Sequence, residues 1–190
     1  MMKKHKATLD EYEINPCTMM ILPIPYGSKT YSTIMEIQDE FLSPFRPIEI
    51  IKKSCQYFGS SFDGRIAGTK QLIGITHKAP ITIDPTNTIY FFPTTSPQNS
   101  QCIWISPQHV ISHNRLEANK TLVTFRNKQS CIIPISYSSF ENQLSRTALL
   151  QTKLMQRIEE SERKSFYLFR SQRYSGASEG YGEYGEKWNL

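Results

Sequence analysis

The chain has 190 residues, enough for one main domain with a peripheral extension and for a core that needs no covalent or metal staples. Its 38% hydrophobic and 12% aromatic content excludes disorder throughout. A formal net charge of +5 favours polyanionic partners such as nucleic acid. No stretch reaches the ~18 consecutive apolar residues of a spanning helix, and Asp10, Glu11 and Glu13 stand where a signal peptide needs its hydrophobic region. A cytoplasmic protein with no membrane partner is therefore expected. Cys17, Cys55, Cys102 and Cys131 form no CxxC pair, so reduced, buried thiols are expected.

In chain order, residues 1–13 read as a mobile basic arm, with lysines first and carboxylates after. Residues 14–136 read as a β-rich domain of short apolar runs bounded by Pro, Gly, Ser and Asn. Strands are predicted at Met19–Leu22, Ile48–Ile51, Leu72–Thr76, Ile81–Ile83, Thr88–Phe92, Cys102–Ile105, Thr121–Phe125 and Cys131–Ile135. Arg126–Gln129 is placed to join the last two as a hairpin. So many short strands predict an antiparallel sandwich or barrel-like sheet.

The pattern changes at Tyr137. Ser138-Ser139-Phe140-Glu141 fits a capping box, and Phe140, Leu144, Ala148, Met155 and Ile158 recur at helical spacing. A helix over about 138–164 follows, and residues 137–165 form the third segment. Its cations Arg146, Lys153, Arg157 and Lys164 are spaced 7, 4 and 7 residues apart. At ~100° per residue they fall within about 20° of one line, a stripe able to follow phosphates or simply a solvated face with Glu159, Glu160 and Glu162. The last segment, 166–190, opens with the aromatic run Phe166-Tyr167-Leu168-Phe169-Arg170, suited to a final strand or an extended linear motif. From Tyr174 to Leu190 a Gly-rich flexible tail is expected. The fold class is thus α+β: a mostly antiparallel β domain, one long C-terminal helix and a flexible tail.

No pattern carries complete catalytic chemistry. Around Gly59 and Gly64 the spacing fails the phosphate loop, since Arg65-Ile66 stands where Lys and then Ser or Thr are needed. Ser61 misses the G-x-S-x-G elbow. A Cys55–His77 dyad stays open on sequence alone, with structural roles for both as the plainer reading. His109 and His113 sit at i, i+4, but Pro107 and the strand-rich context speak against the helix that a zinc pair there would need. No catalytic residue, metal or cofactor is assigned.

The most specific polar feature lies between 46 and 78. There Arg46, Lys52, Lys53, Arg65, Lys70 and Lys78 face only Glu49 and Asp63, a net charge of +4. Tyr57, Phe58 and Phe62 interleave with these cations, either as core aromatics or as platforms for bases. An arginine at a loop tip suits a narrow, electronegative minor groove.

Five runs carry a resemblance. They are Ser54–Thr69 (SCQYFGSSFDGRIAGT), Thr76–Pro85 (THKAPITIDP), Ile89–Thr94 (IYFFPT), Gln101–Ser106 (QCIWIS) and Pro134–Gln143 (PISYSSFENQ). In this order they resemble the ComK family of competence transcription factors, from about Tyr12 to Ile158. The resemblance implies an activator of DNA-uptake genes that binds paired AT-rich boxes through the minor groove. It implies dimers assembling to a tetramer on promoter DNA, contact with RNA polymerase, and disposal through an adaptor of a ClpC-type protease. Family members carry an adaptor motif after the long helix, roughly Phe-Met-Leu-Tyr-Pro-Lys. The matching place here reads Phe166-Tyr167-Leu168-Phe169-Arg170-Ser171 and lacks the Pro-Lys end. The charge reading adds the expected DNA contacts: Arg65, Lys70, Lys52, Lys53 and Lys78 first, then Arg146, Lys153 and Arg157 of the helix stripe. A single-stranded nucleic-acid or RNA-binding β-domain is the alternative; a hydrolase using Cys55 or Ser61, and a protein-only regulatory module, are the remaining readings.

Overall fold

The computed structural model describes residues 7–175, which form ten strands and three α-helices. The chain divides into two units, 1–154 and 155–190.

The first unit is built on a seven-stranded sheet. Its strands are β1 (Ala7–Thr8), β2 (Thr18–Tyr26), β3 (Lys29–Glu36), β4 (Glu40–Ser43), β5 (Ile81–Asp84), β6 (Ile89–Pro93) and β7 (Trp104–Ile105), in the spatial order β1-β4-β3-β2-β7-β6-β5. Only the short β1–β4 pair is parallel. The β2–β3 hairpin closes with Tyr26 opposite Lys29, so Gly27-Ser28 forms the two-residue loop. Gly27 sits there at φ +58°, the left-handed conformation such a turn demands. A second sheet holds β8 (Val110–Glu117), β9 (Lys120–Phe125) and β10 (Ser130–Ile133), all antiparallel, in the order β10-β9-β8.

Strand alternation gives the large sheet two buried faces. Ile21, Ile34, Phe91 and Trp104 turn to one side, where they pack with Ile48, Ile51, Cys55 and Phe62 of the helices α1 (Pro47–Tyr57) and α2 (Phe62–Ile73). Their neighbours Met20, Met35, Phe92 and Ile105 turn to the other side. They pack with Val123, Phe125 and Ile133 of the small sheet and with Phe140, which opens helix α3 (Tyr137–Ser175). The unit is therefore layered: two helices, a large sheet, then a small sheet with the start of α3.

Most predicted strands are present: Met19–Leu22 within β2, Ile81–Ile83 in β5, Ile89–Phe92 in β6, Thr121–Phe125 in β9 and Cys131–Ile133 in β10. Of Cys102–Ile105, only Trp104 and Ile105 pair. The predicted hairpin turn also forms, with Lys128 N bonded to Phe125 O at 2.8 Å.

Two predicted strands are helical. Ile48–Ile51 lies in α1. Pro47 opens that helix, and Glu49 reaches back to the Arg46 N–H at 2.8 Å, while Ile48, Ile50, Ile51, Ser54 and Cys55 form its buried face. Leu72 and Ile73 end α2, and Gly74 closes it at φ +68°. In both places a β-branched run is overridden by helix signals and by packing on the sheet.

The start of α3 also differs from expectation. Ser136, not Ser138, is the cap: its Oγ accepts from Ser139 N at 3.3 Å and its carbonyl from Phe140 N at 3.0 Å. Glu141 receives the Tyr137 hydroxyl at 2.8 Å instead of reaching back. The buried stripe of α3 is Phe140, Gln143, Thr147 and Leu150, whereas Ala148 and Met155 are exposed.

The second unit contains the rest of α3. The run expected as a strand or extended motif is helical, with Phe166, Tyr167 and Leu168 all exposed. Of the arm expected over residues 1–13, residues 1–6 lie outside the described residues, whereas Ala7–Thr8 pair with β4 and Leu9 and Tyr12 pack into the core, so this half is no mobile arm; the Gly-rich tail from Gly176 lies outside the described residues. Among the described residues no helix is long and apolar enough to cross a membrane.

Candidate nucleic-acid interface

Helices α1 and α2 are joined by Phe58-Gly59-Ser60-Ser61, a four-residue turn with Gly59 at φ +69°. This is helix–turn–helix connectivity. Ser61 caps α2 by accepting from Gly64 N at 3.1 Å. With Ile48, Ile51 and Cys55 turned to the core, helical spacing leaves Lys52, Lys53 and Gln56 exposed on α1.

Aromatic rings and hydroxyls hold these cations. Lys53 Nζ lies 3.4 Å from the centre of the Phe45 ring, and Lys52 Nζ lies 5.7 Å from that of Phe62. Such contacts position an ammonium without neutralising it. Arg65 stands on α2, not at a loop tip, and its Nε donates to Ser60 Oγ at 2.9 Å. Among the described residues, Arg46 alone of the six cations between 46 and 78 has a carboxylate at ion-pair distance, Glu49 at 3.0 Å, and the charge of Lys53 also acts on Glu49. The Arg46–Glu49 pair raises the guanidinium pKa and lowers that of the carboxyl, chiefly through their hydrogen bond.

A second group of cations gathers beyond α2. Lys70 is exposed in its last turn. Lys153 Nζ donates to Leu72 O at 3.2 Å, and Arg146 donates to His77 O at 3.4 Å. These contacts hold the last turn of α2 and the α2–β5 connection, which contains Lys78, against α3. They also place positive charge at the negative end of the α2 dipole, a structural role that accompanies any role toward a ligand. Arg157 and Lys164 lie in the second unit. The helix stripe is thus partly committed: Arg146 and Lys153 already serve backbone carbonyls.

The interleaved aromatics divide. Phe62 is buried and meets Trp104 edge-on, Phe58 packs against the core, and Tyr57 is 68% exposed. Phe45, Ser60 and Gln143 escaped sequence reasoning. Only the turn between two helices would have pointed to Ser60, and α1 itself was not legible.

The catalytic alternatives gain nothing from the geometry. Cys55 is fully buried, and burial pushes its thiol up to about 11, far from a reactive thiolate. Ser61 is committed to its cap. Cys17, expected to be buried, is exposed. His109 is buried in a short 3-10 turn at Pro107–His109, whereas His113 lies on β8 against the Tyr137 ring. No group of three or more potential metal ligands occurs among the described residues.

The chain matches the family described as ComK protein over residues 9–159. The competence transcription factor of Bacillus subtilis (strain 168) is 43% identical to it over 171 residues, which is 89% of each chain. No solved structure matches. A match that takes in the whole layered core and the first half of α3 establishes that the chain belongs to the ComK family.

Proposed function

We propose that this chain is a transcription activator of competence genes that binds duplex DNA. The observation that carries the reading is a row of cations with no carboxylate at ion-pair distance among the described residues: Lys52, Lys53, Arg65, Lys70 and Lys78. Surface cations not held in an ion pair are available to neutralise phosphates and so to release the counterions condensed on DNA. The 43% identical competence transcription factor supports the regulatory role. The chain acts in the cytoplasm, associated with the nucleoid, and catalyses no reaction.

In finer terms, the targets are paired AT-rich boxes read through the minor groove, where width and potential matter more than base identity. Arg65, Lys52 and Lys53 are the first contacts, with Lys70, Lys78, Arg146, Lys153 and Arg157 following the phosphates. Dimers assemble to a tetramer on the promoter and contact RNA polymerase. Phe166, Tyr167, Leu168 and Phe169 serve an adaptor of a ClpC-type protease; the first three are exposed on α3, which supports availability to a partner.

A gel-shift titration tests this with paired AT-rich boxes at several spacings and salt concentrations, against GC-rich duplex and the separated strands. Preference for AT-rich duplex and dependence on spacing are expected. Preference for the separated strands would favour the single-strand reading, for which exposed Tyr57 offers a stacking surface.

A further inference from the structure

The large sheet ends on one side in a ribbon of two strands. Strand β7 pairs only with Met20 and Ile21 of β2, and β4 reaches only as far as Ser32 of β3. Among the described residues, the outer parts of β2 and β3, up to Tyr26 and from Lys29, therefore pair only with each other. At ~3.3 Å per residue, Lys29 stands about 10 Å past the last β4 pair.

The tip of this ribbon holds donors and no acid. Lys29 is the one charged residue between Ile14 and Met35, whereas Glu36, Asp39 and Glu40 lie at the opposite end of β3 and its turn into β4. Among the described residues, the side chains of Tyr26, Ser28, Lys29, Thr30 and Tyr31 make no hydrogen bond and no ion pair. Tyr26 is 57% exposed, and its ring stacks on that of Tyr31 with centres 4.3 Å apart at 18°. This diagonal cross-strand contact stiffens the tip and leaves both hydroxyls unused.

Strand addition is disfavoured on the β2 side of the ribbon. The two-residue loop makes Tyr26 and Lys29 a hydrogen-bonded pair, and in an antiparallel ladder such pairs alternate. Pro23 and Pro25 thus turn their nitrogens, which carry no hydrogen, to the outer edge. The side-chain donors remain as the binding chemistry. At its root the ribbon joins the cations of α1: Ser32 Oγ donates to Phe45 O at 2.6 Å, and the Phe45 ring holds Lys53 Nζ at 3.4 Å.

Hydroxyls and an ammonium with no acid among them match the groups by which proteins hold the sugar–phosphate backbone. We propose that the β2–β3 tip grips the backbone of the same duplex that α1 contacts, with Tyr26, Ser28 and Lys29 donating to phosphate oxygens. The inference rests on the DNA-binding reading and extends that interface from Lys53 along β3 to Lys29, a span of roughly three base-pair steps.

The test compares the full chain with a triple variant, Tyr26→Phe, Ser28→Ala and Lys29→Gln, on duplex carrying paired AT-rich boxes. Gel-shift affinity, its salt dependence and phosphate-ethylation interference are read together, with thermal midpoints to verify folding. The variant is expected to bind about tenfold more weakly. Its slope of log K against log salt should fall in magnitude by near 0.9, one phosphate contact, and its interference map should lose one cluster of phosphates and keep the rest. Wild type that binds no duplex would overturn the DNA-binding reading and this proposal with it. Wild type that binds, with a folded variant of equal affinity, slope and interference map, would overturn this proposal alone. Weaker binding with every phosphate retained and a smaller sedimenting species would also overturn it, by giving the tip to a second copy of the chain.

Discussion

His109 is a basic side chain held neutral inside the fold. It is 5% exposed, and its Nε2 lies 3.0 Å from Pro16 O, an acceptor, so Nε2 carries the hydrogen and donates. Nδ1 is buried without a partner among the described residues. Burial, with Arg126 nearby, holds the imidazole below its ordinary range. The folded state therefore binds this proton less readily than the unfolded state. Its contribution to stability is complete above the unfolded pKa of ~6.5 and is lost as pH falls from there to the lower folded value. His109→Gln keeps a donor for Pro16 O and removes the titration. Urea midpoints between about pH 7.5 and 5 should fall less steeply in this variant than in wild type; parallel profiles would exclude the effect. Ser61 offers a second residue-scale check. Removing its cap with Ser61→Ala should cost about 1 kcal/mol, read from the same denaturation curves. Little of this was legible in the sequence. Ser61 stands in a run where Ser60 and Asp63 also carry polar side chains, and the burial of His109 depends on Pro16, far away in the chain.

At the scale of the element, legibility followed the length of the periodic signal. The long helix was readable because Tyr137 to Ser175 holds no proline or glycine. Its buried stripe was misplaced because two members, Gln143 and Thr147, are polar. Gln143 is buried to serve two carbonyls, and Thr147 bonds back to Gln143 O at 2.6 Å, so hydropathy alone put the stripe one position away. Helices α1 and α2 were missed for a different reason: Ile48-Glu49-Ile50-Ile51 has strand composition, and its helical state is set by Pro47, Glu49 and the sheet beneath. β3 and β8 are rich in polar residues and β1 and β4 are short, so all four lack the apolar run by which the predicted strands announce themselves. The anchor of α3 is Phe140, fully buried and edge-on to Phe92 at 5.5 Å between ring centres. Phe140→Ala should destabilise the protein by about 3–5 kcal/mol. Substituting the exposed Leu149 should cost within about 0.5 kcal/mol. Equal losses at the two sites would mean that α3 is not anchored through this face.

For the molecule as a whole, the layered core explains why charge collects where it does. The large sheet is covered on both faces, so cations in 46–78 are left on the outward sides of α1 and α2 and on the connection to β5. The sequence count of six cations against two carboxylates singled out this stretch, but the arginine expected at a loop tip stands on α2, because the helices were not seen. The three-stranded sheet provides an internal contrast. Lys120 there is paired with Glu117 at 2.9 Å, whereas Lys52 and Lys53 have no carboxylate at ion-pair distance among the described residues. A cation held by a carboxylate must leave that pair before it can neutralise a phosphate and release the counterions condensed on DNA, whereas one without such a pair need not. Replacing both Lys52 and Lys53 by Gln should lower the slope of log K against log salt by close to 2 in magnitude, near 0.9 for each phosphate contact removed. Lys120→Gln should leave the slope unchanged. Arg65→Ala should weaken binding to AT-rich boxes by ~1–3 kcal/mol, and if it reads the groove its effect should be smaller on GC-rich duplex. Uniform weakening on every duplex would assign Arg65 to phosphate instead, and unchanged slopes in the well-folded Lys52/Lys53 variant would remove α1 from the interface.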